Sequence, residues 1–388
     1  MSVFSSGQSS FFSLAGVCGF CAFLGVGCAD GANDDVIAVL VNGSHSISNV
    51  LVDIIGDESH GLNGPRDLDF NPGAAGELWV VNQIDDGVVR YVAAGSEEQD
   101  QEHRIDSFAM HFMEEVSSLS FSEDTVFGAG STFATCQESD NTYNHQQSGN
   151  NFMGPTLWTS DWEIFGFSNP DAVEAVGYDL GSHIDMMHES PFCMGIDWEN
   201  ANAYWTVDGL AQTISRYDFG ADHDVGYDDH SDGNVERYID AEYTRVEGIP
   251  SHIVYNPNDG MVYYNDTGAG RIMRLDPSSA TQGADISEHS HDGGEFYNMD
   301  GGDLTVLVSA DDGDLVHPSG LALHEDVLYV TDNATGRISA FDLDGDRIDY
   351  LDTEWGEGSL MGLTVDDKGH IWAVDFKGNR VLRIREKP

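Results

Sequence analysis

The stretch DHDVGYDDHSDG, residues 222–233, places two histidines and five aspartates in twelve positions. Carboxylate oxygens and imidazole nitrogens at this density suit a cation. The spacing is nevertheless not that of a continuous calcium loop. Asp222, Asp224, Gly226 and Asp228 alternate briefly, but no glutamate closes the set. Two readings stay open: a solvated acidic loop, or a surface cation site of Asp222, Asp224, Asp228 and His230 shared with a second acidic stretch, SEHSHDGGE at 287–295.

Further histidines stand at blade-like starts of apolar segments: His183 and His188 in GSHIDMMHESP, His252 in IPSHI and His317 in VHPSG, with His145 in a polar insertion. Imidazoles converging from separate segments can bind a borderline metal and leave one position open to water or substrate. The plainer role for each is a hydrogen-bonded polar residue. Arg66 and Asp67 hold the matching place in the first such segment, and Tyr143 lies in the Asn/Gln-rich insertion 136–158, which suits a polar, uncharged ligand such as a sugar.

What positions these residues is a repeat. Six segments share a turn, a short apolar strand, an Asn/Asp/Gly turn, a second strand ending in a small acidic or amide residue, and a third strand. Their first strands centre near Leu68, Leu119, Ile196, Ile253, Leu321 and Leu363. Period-two alternation with β-branched and aromatic residues marks strands, and no long helical pattern competes. Repeated units of this kind, arranged radially, make a β-propeller in which each blade buries both faces on its neighbours. The segments LALHEDVLYVTDNATGRISAFD and IVYNPNDGMVYYNDTGAGRIMRLD resemble the NHL-repeat family of six-bladed propellers, related in shape to TolB-like, SMP-30-like and amidating-lyase-like propellers. The resemblance covers residues 62–388.

The fold expected is therefore all-β: a six-bladed propeller of four-stranded blades over 36–388. The last repeat stops after its third strand, so a strand from Val36–Ile55 should close it and remove an open sheet edge. A D-x4-R spacing recurs at Asp266/Arg271, Asp332/Arg337 and Asp375/Arg380, as if an arginine tied the turn's carboxylate. In a propeller the turns where the chain enters each blade share one face, here called the upper face. That rule gathers His183, His188, His252, His317 and Asp67 at an upper mouth. It sends residues 222–233 and 287–295, as neighbours, to the lower face.

The resemblance implies three chemistries. PSHIV and VHPSGL are similar to metal-bearing segments of the peptide-amidating lyase, although no tyrosine stands at Asp208-Gly209-Leu210 and its arginine segment has no match. Lactonase-type propellers use a Glu/Asn/Asp calcium set, a part open here to Asp67, Asn82 and Asp208. A quinone-dependent dehydrogenase needs basic partners for an anionic cofactor, and lysine is absent before Lys368. The cofactor expectation is a divalent metal, calcium or zinc.

Charge narrows the partners. Sixteen Lys plus Arg against 68 Asp plus Glu give a formal net charge of -52. Such a field repels nucleic acid and anionic membranes and leaves cations, cationic ligands, glycans and proteins. Phe11–Gly27 is an apolar run of signal-sequence type. It is followed by Cys28 in LGVGC, which resembles a lipoprotein cleavage box with Cys28 as the lipidated residue. A leader at 1–28, an acidic linker at 29–35 and an exported monomer, periplasmic, outer-membrane-anchored or extracellular, are expected. Export would permit a Cys136–Cys193 disulfide. Two functions remain: an extracellular binding module, or a metal-dependent lyase or hydrolase.

Overall fold

The computed structural model describes residues 45–387; the leader, Cys28, the acidic linker and the first part of the expected closing segment lie outside them. Strand β1 (Val50–Gly56) comes first and belongs to the last blade. Blade 1 is β2 (Pro65–Phe70), β3 (Leu78–Asn82), β4 (Gly87–Val92) and β5 (Asp100–Ile105). After the short helix α1 (Ala109–Phe112), blade 2 is β6 (Val116–Phe127), β7 (Gly130–Gln137), β8 (Thr156–Thr159) and, beyond α2 (Pro170–Val176), β9 (Asp185–Met186). Blade 3 is β10 (Cys193–Asn200), β11 (Ala203–Asp208), β12 (Thr213–Asp218) and β13 (Asn234–Tyr238). Blade 4 is β14 (Ile253–Asn256), β15 (Met261–Asp266) and β16 (Arg271–Asp276); then a hairpin of β17 (Thr281–Asp285) and β18 (Glu295–Asp300) precedes its outer strand β19 (Asp303–Val308). Blade 5 is β20 (Pro318–His324), β21 (Val327–Asp332), β22 (Arg337–Asp342) and β23 (Arg347–Asp352), and blade 6 is β24 (Leu360–Val365), β25 (Ile371–Asp375) and β26 (Arg380–Glu386).

Closure is as expected. β1 pairs antiparallel with β26, Val52 opposite Ile384 and Ile54 opposite Leu382. Asp53 takes hydrogen bonds from Arg385 (2.6 Å) and Arg383 (2.9 Å), which lock the register and hold its carboxyl below the usual range despite some burial.

The alternation legible in the sequence sorts side chains between interfaces, because successive strand residues face opposite sides. In β3, Leu78 and Val80 pack on blade 6 with Trp372 and Val374, while Trp79 and Val81 pack on blade 2 with Phe121, Phe133 and Trp158. The same division runs around the ring: clusters join blades 2 and 3, 3 and 4, 4 and 5, and 5 and 6. Inner strands converge so closely that a Cβ at Gly362 would lie 2.1 Å from Asp67 Oδ1.

Two expectations need correction. Arg271 and Arg380 do bind Asp266 (2.8 Å) and Asp375 (3.0 Å). Arg337 instead binds Asp352 at 2.9 Å, because Asp332 is filled by the backbone N–H groups of Val316, His317 and Thr335. The blade 4 insertion is not a free loop. Its strand β18 runs parallel to β13 and extends blade 3 to six strands.

Candidate functional site

The inner strands of the blades enclose a central cavity of about 330 Å3. It runs from Asp67 and His252 down to Glu123, Glu199 and Pro257 at the lower ends of the strands. Among the described residues, five carboxylic acids line it (Asp67, Asp69, Glu123, Asp197 and Glu199) and no lysine or arginine does. Arg216 pairs with Glu199 from outside the lining at 2.6 Å.

The aspartates sit where they do for a backbone reason. The channel edge of each inner strand carries N–H groups without a strand partner. Asp67 Oδ2 accepts from Leu119 N (3.0 Å) and Asp69 Oδ2 from Phe121 N (3.2 Å), both on blade 2. Asp197 Oδ2 accepts from Tyr255 N on blade 4 (2.7 Å) and its Oδ1 from the Ser120 hydroxyl (3.2 Å). Removal from bulk water outweighs those bonds. It pushes Asp69 up to about 8 and Asp197 to about 7, with neighbouring carboxylates adding to the shift.

His252 bridges the ring. Its Nδ1 lies 2.8 Å from Ser319 O and its Nε2 3.2 Å from Asp67 Oδ2. Burial opposes its charge, but Asp67 outweighs burial and its pKa is raised. Above it the upper mouth is filled by an ion triplet. Arg66, fully buried, donates to Glu138 at 2.6 Å, and Glu138 also accepts from Arg245 and from Gly248 N at 2.9 Å. Burial would raise the Glu138 pKa, yet the Arg66 charge keeps it low.

The expected upper-mouth histidine set does not assemble. Of His183, His188, His252 and His317, only His252 lines the cavity. His317 is half-buried, and its backbone is held by Asp332 and Asn333. His183 and His188 flank β9, which is the outer strand of blade 2 and not the approach to blade 3 expected from the repeat pattern. They lie at the outer rim between blades 2 and 3 beside His111 and His230, with ring centroids 5.8 Å apart for His183/His230 and 5.6 Å for His111/His188. Of the calcium set, Asp67 lines the cavity and Asn82 and Asp208 do not. Asn82 bonds the turn at Gly61 O (2.8 Å) and Asn63 N (3.1 Å). Asp208 is saturated by Arg237 (2.8 Å), Ser190, Leu210 N and Ala211 N. Asn82 and Asp208 thus spend these oxygens on the protein itself, while Asp67 keeps its place on the cavity wall. Tyr143 stacks on His111 at 5.6 Å, away from the cavity lining. His145 faces Glu115 at 3.2 Å on the surface.

The loop 222–233 is not simply solvated. His230 is buried against Asp185 (2.5 Å), and Asp228 lies 3.6 Å from its other nitrogen. Asp222 bonds Asn202 at 2.8 Å and Asp224 is exposed, so the four proposed surface ligands do not converge. The second acidic loop arrives beside it, as expected, with Asp292 on His188 at 2.6 Å. Asp185, His223 and Asp232 do converge, with one ligand atom each within 4.8 Å of the others, and could hold a metal. Cys136 and Cys193 form a disulfide between blades 2 and 3, Cα atoms 5.1 Å apart.

Sequence reading missed Asp69 and Asp197 although a signal existed. Each directly follows the central first-strand residue of its repeat, Leu68 and Ile196, so the repeats align them. Glu138 and Asp185 carried no such mark.

A comparison with protein families matches residues 279–387, blades 5 and 6 and the preceding strands, to the SMP-30/Gluconolactonase/LRE-like region. The chain is a six-bladed propeller with SMP-30-like C-terminal blades. No curated protein matches it. Among solved structures it is similar to a Bacteroides thetaiotaomicron protein of unknown function (10% identity, 87% of this chain and 76% of that one, TM-score 0.52). It is also similar to an auxiliary nutrient binding protein from the same species (12%, 84% and 70%, TM-score 0.51) and to a luciferin-regenerating enzyme (14%, 87% and 95%, TM-score 0.50). At these identities the likeness is one of fold. Among the described residues no helix is long and apolar enough to cross a membrane.

Proposed function

We propose that this protein is an exported monomeric binding module that takes a small hydroxyl-rich or cationic ligand into its central cavity. The observation that carries the proposal is the lining: among the described residues it holds five carboxylic acids, one histidine and no lysine or arginine. Such walls repel carboxylates and phosphates and offer acceptors to hydroxyl or ammonium groups. Near pH 7 the Asp69 carboxyl keeps its proton, so it can also donate. Export is supported by the apolar leader, the disulfide and the resemblance of LGVGC to a lipoprotein box, with Cys28 as the lipid-bearing residue. The nutrient-binding protein of similar fold is consistent with this role.

A second reading, acid–base chemistry in the same cavity, is favoured by Asp69 and Asp197, whose pKa values of about 8 and about 7 lie near neutrality in a concave site. Both aspartates are, however, bound to neighbouring backbone N–H groups, which gives them a structural task. A thermal-shift panel of sugars, polyols, amines and organic acids tests the binding role. Stabilisation by a sugar, polyol or amine, lost in Glu123→Gln, is the expected result. Stabilisation by organic acids alone would overturn it.

A further inference from the structure

We propose a second, separate site: a borderline divalent metal, of the zinc class, bound at the outer rim by Asp185 Oδ2, His223 Nε2 and Asp232 Oδ1, where it staples the loop 219–233 of blade 3 to strand β9 of blade 2. The three atoms already face one another. His223 Nε2 lies 2.9 Å from Asp232 Oδ1 and 3.7 Å from Asp185 Oδ2.

The independent observation is Asp185. Its side chain is fully buried, yet Oδ2 has no hydrogen-bond partner. An unpaired carboxylate oxygen out of water is costly, and a cation placed against it removes that cost. The orphan oxygen points to the His223 side of the carboxylate, because the opposite oxygen, Oδ1, is held by His230 Nδ1 at 2.5 Å. Asp232 repeats the arrangement: Oδ2 accepts from Ala221 N at 2.9 Å and Oδ1 is turned to His223. One oxygen fixed and one presented is how an outer layer of hydrogen bonds orients metal-binding carboxylates.

The donor set decides the class. Two monodentate carboxylates and one imidazole suit zinc and its neighbours, whereas calcium seeks six to eight oxygens. The half-exposed His223 and exposed Asp232 leave room for water to complete the coordination. Besides the His230–Asp185 contact, the loop is docked on blade 2 by Gly226 N to His183 O (2.8 Å) and Asn169 to Val225 O (2.9 Å). A metal would add a link between the same two blades joined by the disulfide.

The test uses untagged protein stripped with chelator, titrated with zinc and then with calcium in a calorimeter. His223→Ala serves as the ligand variant and Asp224→Asn as a control in the same loop. The expected result is about one zinc per chain in wild type and Asp224→Asn, at least a tenfold weaker affinity in His223→Ala, and slower proteolysis within 219–233 only when zinc is bound. His223 sits at the surface edge of the site, so its removal leaves the fold testable by circular dichroism. Zinc binding unchanged in His223→Ala, no zinc binding, or calcium bound in preference would each overturn the proposal.

Discussion

Asp69 is the residue whose chemistry most directly reports on the channel. Its pKa is raised from 3.8 to about 8, so the folded protein holds this proton more tightly than the unfolded chain. The stability it contributes is complete below the unfolded value and is lost as pH rises through about 8. Urea unfolding from pH 5 to pH 8.5 should therefore show falling stability, with a shallower fall in Asp69→Asn; equal slopes would contradict the assignment. At the upper mouth, Glu138→Gln leaves Arg66 buried with its charge uncompensated, which should cost about 3–5 kcal/mol. A cost near that of a surface change, within about 0.5 kcal/mol, would show that the triplet is not a buried charge cluster. Such residues differ in how far the sequence exposes them. Asp69 and Asp197 recur at one repeat position, whereas Glu138 and Asp185 acquire their roles from chain segments brought together only by folding.

The strands were the most legible elements. Alternation located all six inner strands, and the missing fourth strand of the last repeat pointed to the N-terminal segment that became β1. What resisted reading were the connections. The segment GSHIDMMHESP contains the outer strand β9, only two residues long, after a connection with its own helix, so no alternating pattern announced it. His183 and His188 therefore belong to blade 2 and not to the entry of blade 3. In the blade 4 insertion the acidic residues dominate the pattern, which leaves a solvated loop and a shared cation site equally open, whereas Phe296 packs against blade 3. Closure and the disulfide each give an element-scale outcome. Removing residues through Gly56 strips β1 from β26 and exposes a sheet edge, so cooperative unfolding should be lost; a truncated protein with an unchanged urea midpoint would refute the role of β1. Replacing both Cys136 and Cys193 by serine should lower stability by about 2–5 kcal/mol, since the bridge closes a long loop between blades.

At the scale of the molecule, a net charge of -52 on 388 residues sets the conditions under which the fold holds. Like charges repel over a Debye length of about 10 Å at 0.1 M salt and much less at 1 M. The melting temperature should therefore climb as sodium chloride is raised, and a flat or falling curve would show that local pairing already neutralises the surface. The same field, concentrated in the cavity by those of its five carboxylic acids that are ionised, selects what can enter. Calorimetric titration of the sugar, polyol or amine that most stabilises the protein tests that claim most directly, comparing wild type with Glu123→Gln and Asp197→Asn. One saturable site weakened at least tenfold in both variants is the result the acidic channel predicts. Affinity unchanged by either substitution would place the ligand elsewhere and contradict it.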